Sequence, residues 1–305
     1  MIPIKHSLCL GSPFVDYLNI TAPKDLLVTI LSGLKPIIDV MGLSEPSDGL
    51  YRLPEPLNGT FKVFTRGNVV VFGASGGFLS ALRERSLYVH YLMGFAHHEH
   101  RISMMHVTQD YEVDAPKTLT KIYDKGVKGD LYLTRKSINP LHVTKLLGRN
   151  LAGFDTGTVY LGNRANSDVW AKVYDKQQER IAKGDLDAKP RLRVEIAVQS
   201  DVGATLRDAS LPSELFYHFA GNSLVERPKG LNGWSAHGEG FTIEAPAFEP
   251  TPWERLSKIV DFSNDIGRLF DLALTEYGND ALPEIQKIIR NRFNRFQAGK
   301  VSREE

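Results

Sequence analysis

The chain has only one cysteine, Cys9, among its 305 residues. A single thiol excludes an intramolecular disulfide framework and a zinc cluster built from cysteines. No run of about 18 uncharged apolar residues occurs, and the N-terminus lacks the basic, apolar and cleavage regions of a signal peptide. The sequence therefore predicts a cytoplasmic protein without a membrane partner, whose chemistry uses side chains other than thiols.

Strong net charge is also missing, because the formal charge at pH 7 is only +1. The basic residues are nevertheless clustered: residues 115–150 carry eight lysines and arginines against two aspartates, and a second basic run covers residues 287–300. Such clusters suit contacts with nucleic acid phosphates, although a solvated helix face is the alternative interpretation. The candidate DNA-binding residues are Lys117, Lys121, Arg164, Arg193, Arg290 and Arg292.

Hydrophobic residues make up 42% of the chain, which is ample for a buried core. Alternation of apolar and polar residues predicts amphipathic strands over 103–114, 169–175 and 191–198 and shorter strands over 14–21, 61–64, 68–72, 130–134 and 159–161. Helical spacing predicts helices over 23–34, 78–96, 117–128 and 199–216. Strands with one apolar face indicate an α+β fold: a largely antiparallel central sheet with helices on one face.

The C-terminal part differs in composition from the rest. Residues 221–245 are rich in glycine, asparagine and serine, and the apolar pattern from Trp253 to Phe296 is helical. We therefore expect a main domain over residues 1–220, followed by an irregular connection and a helical C-terminal extension over 221–305.

One predicted strand carries a tyrosine between two lysines. Val169, Ala171 and Val173 share one face, and Lys172, Tyr174 and Lys176 share the other. Two ammonium groups favour a phenolate and attract an anion, which suits a tyrosine that attacks phosphorus. The alternative is the ordinary solvated face of an edge strand.

Acidic residues lie on the polar faces of neighbouring predicted strands. Asp110 and Glu195 are the candidate ligands of Mg²⁺ or Mn²⁺, since hard cations take oxygen donors. Solvent exposure, or pairing with Arg191 and Arg193, is the alternative for both carboxylates. His106 shares the face of Asp110 but lies about 13 Å away along a strand, too far for one metal unless the strand bends.

Histidines 97, 98 and 100 resemble metal ligands at first sight. They lie at a predicted helix end, without a carboxylate or cysteine at a recognised spacing, which favours a solvated turn or helix cap. The run Gly73-Ala-Ser-Gly-Gly77 lacks the lysine of a P-loop and the spacing of a dinucleotide fingerprint, so we interpret it as a tight strand-to-helix turn.

Five segments occur in a recognisable order: Phe14-Val-Asp-Tyr-Leu-Asn-Ile-Thr, Asp110-x-x-x-Asp114, Gly157-Thr-Val-Tyr-Leu-Gly-Asn-Arg, Lys172-Val-Tyr-Asp-Lys and Arg193-Val-Glu-Ile-Ala. In this order they resemble the Rep_trans family of rolling-circle replication initiators and related relaxases, over roughly residues 14–215. Two positions depart from the family pattern, because Thr108 and Lys172 stand where arginine is common. The lysine keeps the charge but loses the bidentate fork.

The resemblance implies an origin-specific, metal-dependent nickase and strand transferase that joins the 5′ end of the cut strand through tyrosine. Tyr174 corresponds to the family's nucleophile, with Lys172 and Lys176 beside it, and Asp110 and Glu195 to its acidic positions. The implied partners are origin DNA and a host helicase and polymerase; a homodimer is one open alternative for the oligomeric state. A DNA-binding protein that recruits replication proteins without cutting is the rival interpretation.

Overall fold

We describe the protein from a computed structural model. The described residues are 3–43, 49–54, 58–134, 141–146, 157–231, 233–236 and the isolated positions 278, 283, 286, 287 and 290. The chain divides into two compact units, Met1–Ile243 and Glu244–Glu305. The predicted C-terminal helices lie outside the described residues, apart from the isolated positions.

Among the described residues, nine strands form one antiparallel sheet in the order β2-β3-β4-β1-β5-β9-β8-β7-β6. Their bounds are β1 Cys9–Pro23, β2 Leu50–Arg52, β3 Thr60–Arg66, β4 Val69–Ser75, β5 Arg101–Tyr111, β6 Val143–Leu146, β7 Thr158–Leu161, β8 Val169–Asp175 and β9 Leu192–Gln199. The strand with the candidate tyrosine, β8, is thus an interior strand between β9 and β7 and not an edge strand.

Seven α-helices accompany the sheet in the described part of the chain. They are α1 Leu27–Val40, α2 Gly76–Glu84, α3 Tyr88–Ala96, α4 Ala115–Val127, α5 Lys176–Ala182, α6 Leu206–Ser210 and α7 Pro212–Ala220. Together with the antiparallel sheet, they confirm the predicted α+β fold.

The core lies between the sheet and the helices α2, α4 and α7. Val107 on β5, Val173 on β8 and Ile196 on β9 are fully buried there, as their alternation predicted. We call this side of the sheet the helix-covered face. The other side, which we call the polar face, carries Asp110, Lys172, Tyr174, Arg193 and Glu195.

One polar residue on the helix-covered face needs a local explanation. Gln109 is fully buried among apolar neighbours. Its side-chain nitrogen donates to the carbonyl oxygens of Leu10 at 3.4 Å, Gly11 at 3.3 Å and Asp110 at 2.9 Å. These bonds satisfy the amide nitrogen and hold it at an irregularity in the pairing of β1 with β5, while the side-chain oxygen has no hydrogen-bond partner among the described residues.

Three predicted elements were wrong in detail. The helix over 78–96 is two helices, α2 and α3, separated at Ser86, whose φ of 58° is left-handed. Residues 130–134 form no strand, because Ser223 accepts from the Tyr132 amide and donates to the Tyr132 carbonyl, both at 2.7 Å. The helix over 199–216 is a short 3-10 turn followed by α6 and α7.

Within the described residues, no helix has both the length and the apolar character that a membrane span requires.

Candidate active site on the polar face

The strand register brings the candidate residues into adjacent rows. Across the sheet, Tyr174 lies opposite Arg193, and Arg193 lies opposite Asp110. One row further along, Lys172 lies opposite Glu195. Directly opposite residues of antiparallel strands share a face, so the predicted common face of Asp110, Tyr174 and Glu195 is present.

Tyr174 lies between the two predicted lysines. The Lys172 ammonium is 4.2 Å from the centre of the Tyr174 ring, and the Lys176 ammonium is 5.7 Å from it. Lys176 begins α5 and also donates to Glu179 at 2.6 Å. Cations therefore flank the ring, while the side chain retains 8% exposure.

The pKa of Tyr174 shifts in the direction opposite to our expectation. Burial raises it well above the usual tyrosine value, and the positive charge of Arg193 only partly counteracts that effect. The expectation that lysines would favour the phenolate was therefore wrong, because desolvation outweighs the nearby charges. At neutral pH Tyr174 is a protonated phenol.

Lys176 is itself affected by its surroundings. Burial, followed by the charge of Arg193, lowers its pKa, while its contact with Glu179 acts in the other direction. A lysine with a lowered pKa next to a phenol is suited to accept or relay a proton.

Asp110 is held by arginine. Arg193 donates to its two carboxylate oxygens at 2.7 and 3.0 Å, and Arg191 donates at 3.3 Å. Another nitrogen of Arg193 donates to Asp16 at 3.2 Å, and the guanidinium lies 5.3 Å from the centre of the Phe14 ring. Although burial opposes it, the carboxylate of Asp110 raises the pKa of Arg193. This is the arginine pairing that the sequence offered as an alternative to metal binding.

Glu195 pairs with a histidine that sequence reasoning had set aside. Nδ1 of His106 lies 2.7 Å from a Glu195 oxygen. Burial tends to raise the pKa of Glu195, but the contact with His106 and the charges of Lys172 and Arg193 lower it overall. The Nε2 atom of His106 is buried and has no hydrogen-bond partner within the part of the chain that the structure describes. The sequence analysis considered only Asp110, on the same strand, as a partner for His106. The actual partner, Glu195, lies on the neighbouring strand β9.

The two candidate metal ligands are diagonal neighbours. Since Asp110 lies opposite Arg193 and Glu195 opposite Thr108, the two residues occupy adjacent strands two positions out of step, with their α-carbons about 7–8 Å apart. Their oxygen donors are of the class that Mg²⁺ and Mn²⁺ take. A shared ion would have to replace Arg193 at Asp110. In the described part of the chain, no three or more His, Cys, Asp or Glu side chains are grouped to hold an ion.

Aromatic side chains adjoin these residues on the polar face. The His106 ring lies 5.0 Å from Tyr17 and 5.3 Å from Trp170, and Trp170 lies 6.2 Å from Tyr160. The guanidinium of Arg164 lies 5.1 Å from the centre of the Trp170 ring. The predicted DNA contact Arg164 is thus near the candidate site.

Two other candidate DNA contacts, both on α4, are not brought to Tyr174. Lys117 and Lys121 are exposed on α4, which packs on the helix-covered face. Arg290 is exposed at an isolated described position, and Arg292 lies outside the described residues. Arg193 is the exception, since it contacts Asp110 beside Tyr174. Its assignment as a direct DNA contact stays a prediction.

The histidine turn after α3 fits its predicted structural role. His97 ends the helix, and the His100 ring nitrogen Nδ1 lies 2.7 Å from the carbonyl oxygen of His98. Likewise, the glycine run ends β4 and begins α2, where an added Cβ at Gly76 or Gly77 would collide with neighbouring atoms. The interpretation of this run as a tight strand-to-helix turn is confirmed.

No family model matches the sequence, and no curated protein matches it. Among solved structures, the chain is similar to a rolling circle replication initiator protein from Geobacillus stearothermophilus. The two are 16% identical, and the match covers 68% of this chain and 85% of that chain with a TM-score of 0.43. A similarity of this size does not place the chain in a family.

Proposed function

We propose that the protein is a rolling-circle replication initiator that nicks one DNA strand and joins the 5′ end through Tyr174. The observation that carries the proposal is the position of Tyr174: it lies between Lys172 and Lys176 and opposite Arg193, on a face that also holds Glu195. The tyrosine hydroxyl is the nucleophile, and the cations around it stabilise the negative charge that develops on a phosphodiester. The order of the five sequence segments supports the same activity.

The proposed step is an attack of the Tyr174 oxygen on phosphorus. The bond from phosphorus to the 3′ oxygen breaks, which leaves a 5′-phosphotyrosine and a free 3′-hydroxyl. The phenol proton has to leave as the new bond forms, because burial keeps the tyrosine protonated. Lys176 in its neutral form, which its lowered pKa favours, is the candidate acceptor, and the departing 3′ oxygen takes up a proton from water.

Asp110 and Glu195 are the residues that would hold Mg²⁺ or Mn²⁺. Such an ion supplies Lewis-acid polarisation of the phosphodiester when it is bound. Neighbouring side chains affect how these carboxylates could bind the ion: Arg193 competes for Asp110, and His106 holds one oxygen of Glu195. In a cell, the free 3′-hydroxyl would then serve a host polymerase while a host helicase unwinds the duplex.

The test is a nicking assay on supercoiled DNA that carries the origin, with Mn²⁺ or Mg²⁺. Wild-type protein should yield nicked circles and a covalent protein–DNA adduct, and Tyr174→Phe should yield neither. Tyr160→Phe and Tyr123→Phe are assayed beside it, because these partly exposed tyrosines are the next candidates for the nucleophile and should nick as wild type if Tyr174 attacks. Mass spectrometry of the adduct peptide identifies the nucleophile. Nicking by Tyr174→Phe at the wild-type rate would contradict the role of Tyr174.

A second candidate is a DNA-binding protein that recruits replication proteins without cutting. The observation that favours it is the pairing of Asp110 with Arg193 and Arg191, which is the pattern of a structural ion network. In that case DNA binding survives EDTA and substitution of Tyr174, and no adduct forms. Substitution of Lys117 or Lys121 should then reduce the salt dependence of DNA binding.

A further inference from the structure

One arginine beside the polar face lies over an aromatic ring. The guanidinium of Arg164, in the loop between β7 and β8, is 5.1 Å from the centre of the Trp170 ring. Trp170 is only 3% exposed, whereas Arg164 is exposed. In the described part of the chain, Arg164 forms no ion pair. The guanidinium thus meets an indole on one side and remains accessible to a ligand from solvent.

The loop that carries Arg164 is held by hydrogen bonds. The Gln199 side-chain nitrogen, on β9, donates to the carbonyl oxygens of Arg164 at 3.3 Å and Ser167 at 3.1 Å. Within the loop, the Asn163 side-chain oxygen accepts from the Ala165 amide at 2.9 Å, and the Ser167 hydroxyl accepts from the Asn163 amide at 3.1 Å. The backbone of Arg164 is therefore fixed to the sheet, which reduces the freedom that its side chain would lose on binding.

Trp170 belongs to a row of side chains that crosses four strands. Trp170 lies opposite Ala197, which lies opposite His106. His106 in turn lies opposite Tyr17. Because Ala197 is small, the His106 ring comes within 5.3 Å of the Trp170 ring. Tyr160, on the neighbouring strand β7, is partly exposed and lies 6.2 Å from Trp170. Rings from strands on both sides of β8 therefore hold the indole in place.

This row lies close to the proposed nucleophile. Trp170, Lys172 and Tyr174 alternate along the same face of β8, so Trp170 is about 13 Å along the strand from Tyr174. A stacked DNA strand rises about 3.4 Å per nucleotide, so a strand cut at Tyr174 would present a base to Arg164 within about four nucleotides of the cut. Lys172 lies between the two positions, where the backbone phosphates would pass.

An arginine packed on an aromatic ring is suited to the face of a nucleic acid base. Bases stack on guanidinium planes and on aromatic rings, and the contact tolerates any sequence because every base has a π face. Bases inside a duplex are stacked on one another and do not offer that face, whereas unpaired bases do. The alternative is a cation–π pair that only stabilises the loop.

We propose that Arg164, packed on Trp170 and next to Tyr160, is a stacking platform for an unpaired base of single-stranded DNA beside the nick. The guanidinium supplies the plane, Trp170 orients it, and Tyr160 extends the aromatic surface. The position of the base relative to the nick rests on the proposed function of Tyr174, but the stacking contact itself does not.

The test compares three probes for binding to the full chain with Tyr174→Phe, which removes the proposed nucleophile. The probes are an oligothymidine strand, a strand of equal length with abasic sites in place of the bases, and a duplex of the same length. Oligothymidine should bind about 5- to 100-fold more tightly than the abasic strand, because stacking adds to the phosphate contacts. Equal affinity for the two strands would overturn the proposal.

The variant Arg164→Lys then separates the plane from the charge, because lysine keeps the positive charge and loses the planar guanidinium. It should weaken oligothymidine binding at least about 5-fold and leave the other two probes nearly unchanged. Arg180→Lys is the matched control, since Arg180 pairs with Asp185, and it should bind all three probes like the parent.

The remaining outcomes of Arg164→Lys refute the proposal in different ways. An equal loss for all three probes would make Arg164 a phosphate contact. Unchanged binding with a lower melting temperature would make the pair with Trp170 purely structural. The two proposals also fail separately: base-dependent binding without nicking would refute only the nickase, and nicking with unchanged binding in Arg164→Lys would refute only the stacking platform.

Discussion

Arg193 donates two hydrogen bonds to the carboxylate of Asp110, at 2.7 and 3.0 Å, across the β5–β9 ladder. Both side chains are at least nine-tenths buried. A bidentate pair of this kind fixes the guanidinium in one orientation, beside Tyr174 and directed also to Asp16. The pair therefore connects the stability of the sheet to the geometry of the candidate site.

Removal of Arg193 should destabilise the fold strongly. Arg193→Gln leaves Asp110 buried without its main partner, and we expect a loss of about 3–5 kcal/mol in the free energy of unfolding. Urea denaturation measures it. Arg180→Gln is the control, because the side chains of the Arg180–Asp185 pair are 41% and 37% exposed and the pair should be worth less than about 1 kcal/mol. Equal effects of the two variants would contradict the structural role of Arg193.

Nicking should accelerate as the pH rises. The pKa of Tyr174 is raised by burial, so the fraction of phenolate grows throughout the range in which the protein is studied. Single-turnover cleavage, measured from pH 6 to pH 10 with an oligonucleotide of the origin, should increase without a plateau over most of that range. A rate that is flat from pH 6 upward would mean that proton removal from Tyr174 does not limit the step.

Lys172 should increase the rate of nicking through its positive charge. The ammonium lies 4.2 Å from the centre of the Tyr174 ring and opposite Glu195. We expect Lys172→Met to slow nicking about 10- to 100-fold, since one cation near the developing charge is lost, and Lys172→Arg to retain most of the rate. Lys35→Met, on the exposed part of α1, is the control. Similar rates in Lys172→Met and Lys35→Met would remove Lys172 from the site.

Glu179 should make part of the stability dependent on pH. Burial opposes ionisation, yet hydrogen bonds from Lys176 and Lys183 lower the pKa of Glu179 to about 2. Because the folded pKa is the lower one, the contribution is fully present above the unfolded value of about 4.3 and is lost as the pH falls towards 2. Thermal melts from pH 7 to pH 3 should therefore fall less steeply in Glu179→Gln than in wild type. Parallel curves would contradict the shift.

Two glycines should respond to alanine in opposite ways. A Cβ at Gly77 would collide with the carbonyl oxygen of Asn58, whereas a Cβ at Gly33, inside α1, would meet no atom within 4 Å. Gly77→Ala should lower the free energy of unfolding by about 2 kcal/mol or more. Gly33→Ala should raise it by about 0.5–1 kcal/mol, because alanine restricts the unfolded chain and favours helix. Chemical denaturation of both variants measures the contrast.

Local alternation predicted the strands of the site well. The predicted bounds of β8 agree with the structure, and Tyr174 lies on the predicted face. Alternation specifies a face but not the register between strands, which long-range packing decides. The contacts of Arg193 with Asp110 and of His106 with Glu195 depend on that register, so they could not be derived from spacing within one strand.

The break at Ser86 shows another limit of local patterns. The segment Arg85-Ser86-Leu87 contains neither glycine nor proline, yet Ser86 adopts a left-handed conformation and separates α2 from α3. Helical spacing continues through the break because both helices bury apolar residues, including Leu82 and Leu92.

The pKa of Tyr174 shows a similar limit. The sequence shows which charges are nearby, but only the packed structure shows how strongly burial opposes them.

The interior position of β8 has a mechanical consequence. The strand is paired with β9 from Val169 to Asp175 and with β7 over residues 171–174. If a DNA end is attached to Tyr174, tension on that strand is transmitted to two ladders of backbone hydrogen bonds and not to a single loop or terminus. A protein that remains tethered while a helicase pulls on its DNA would thereby resist being unravelled from its point of attachment.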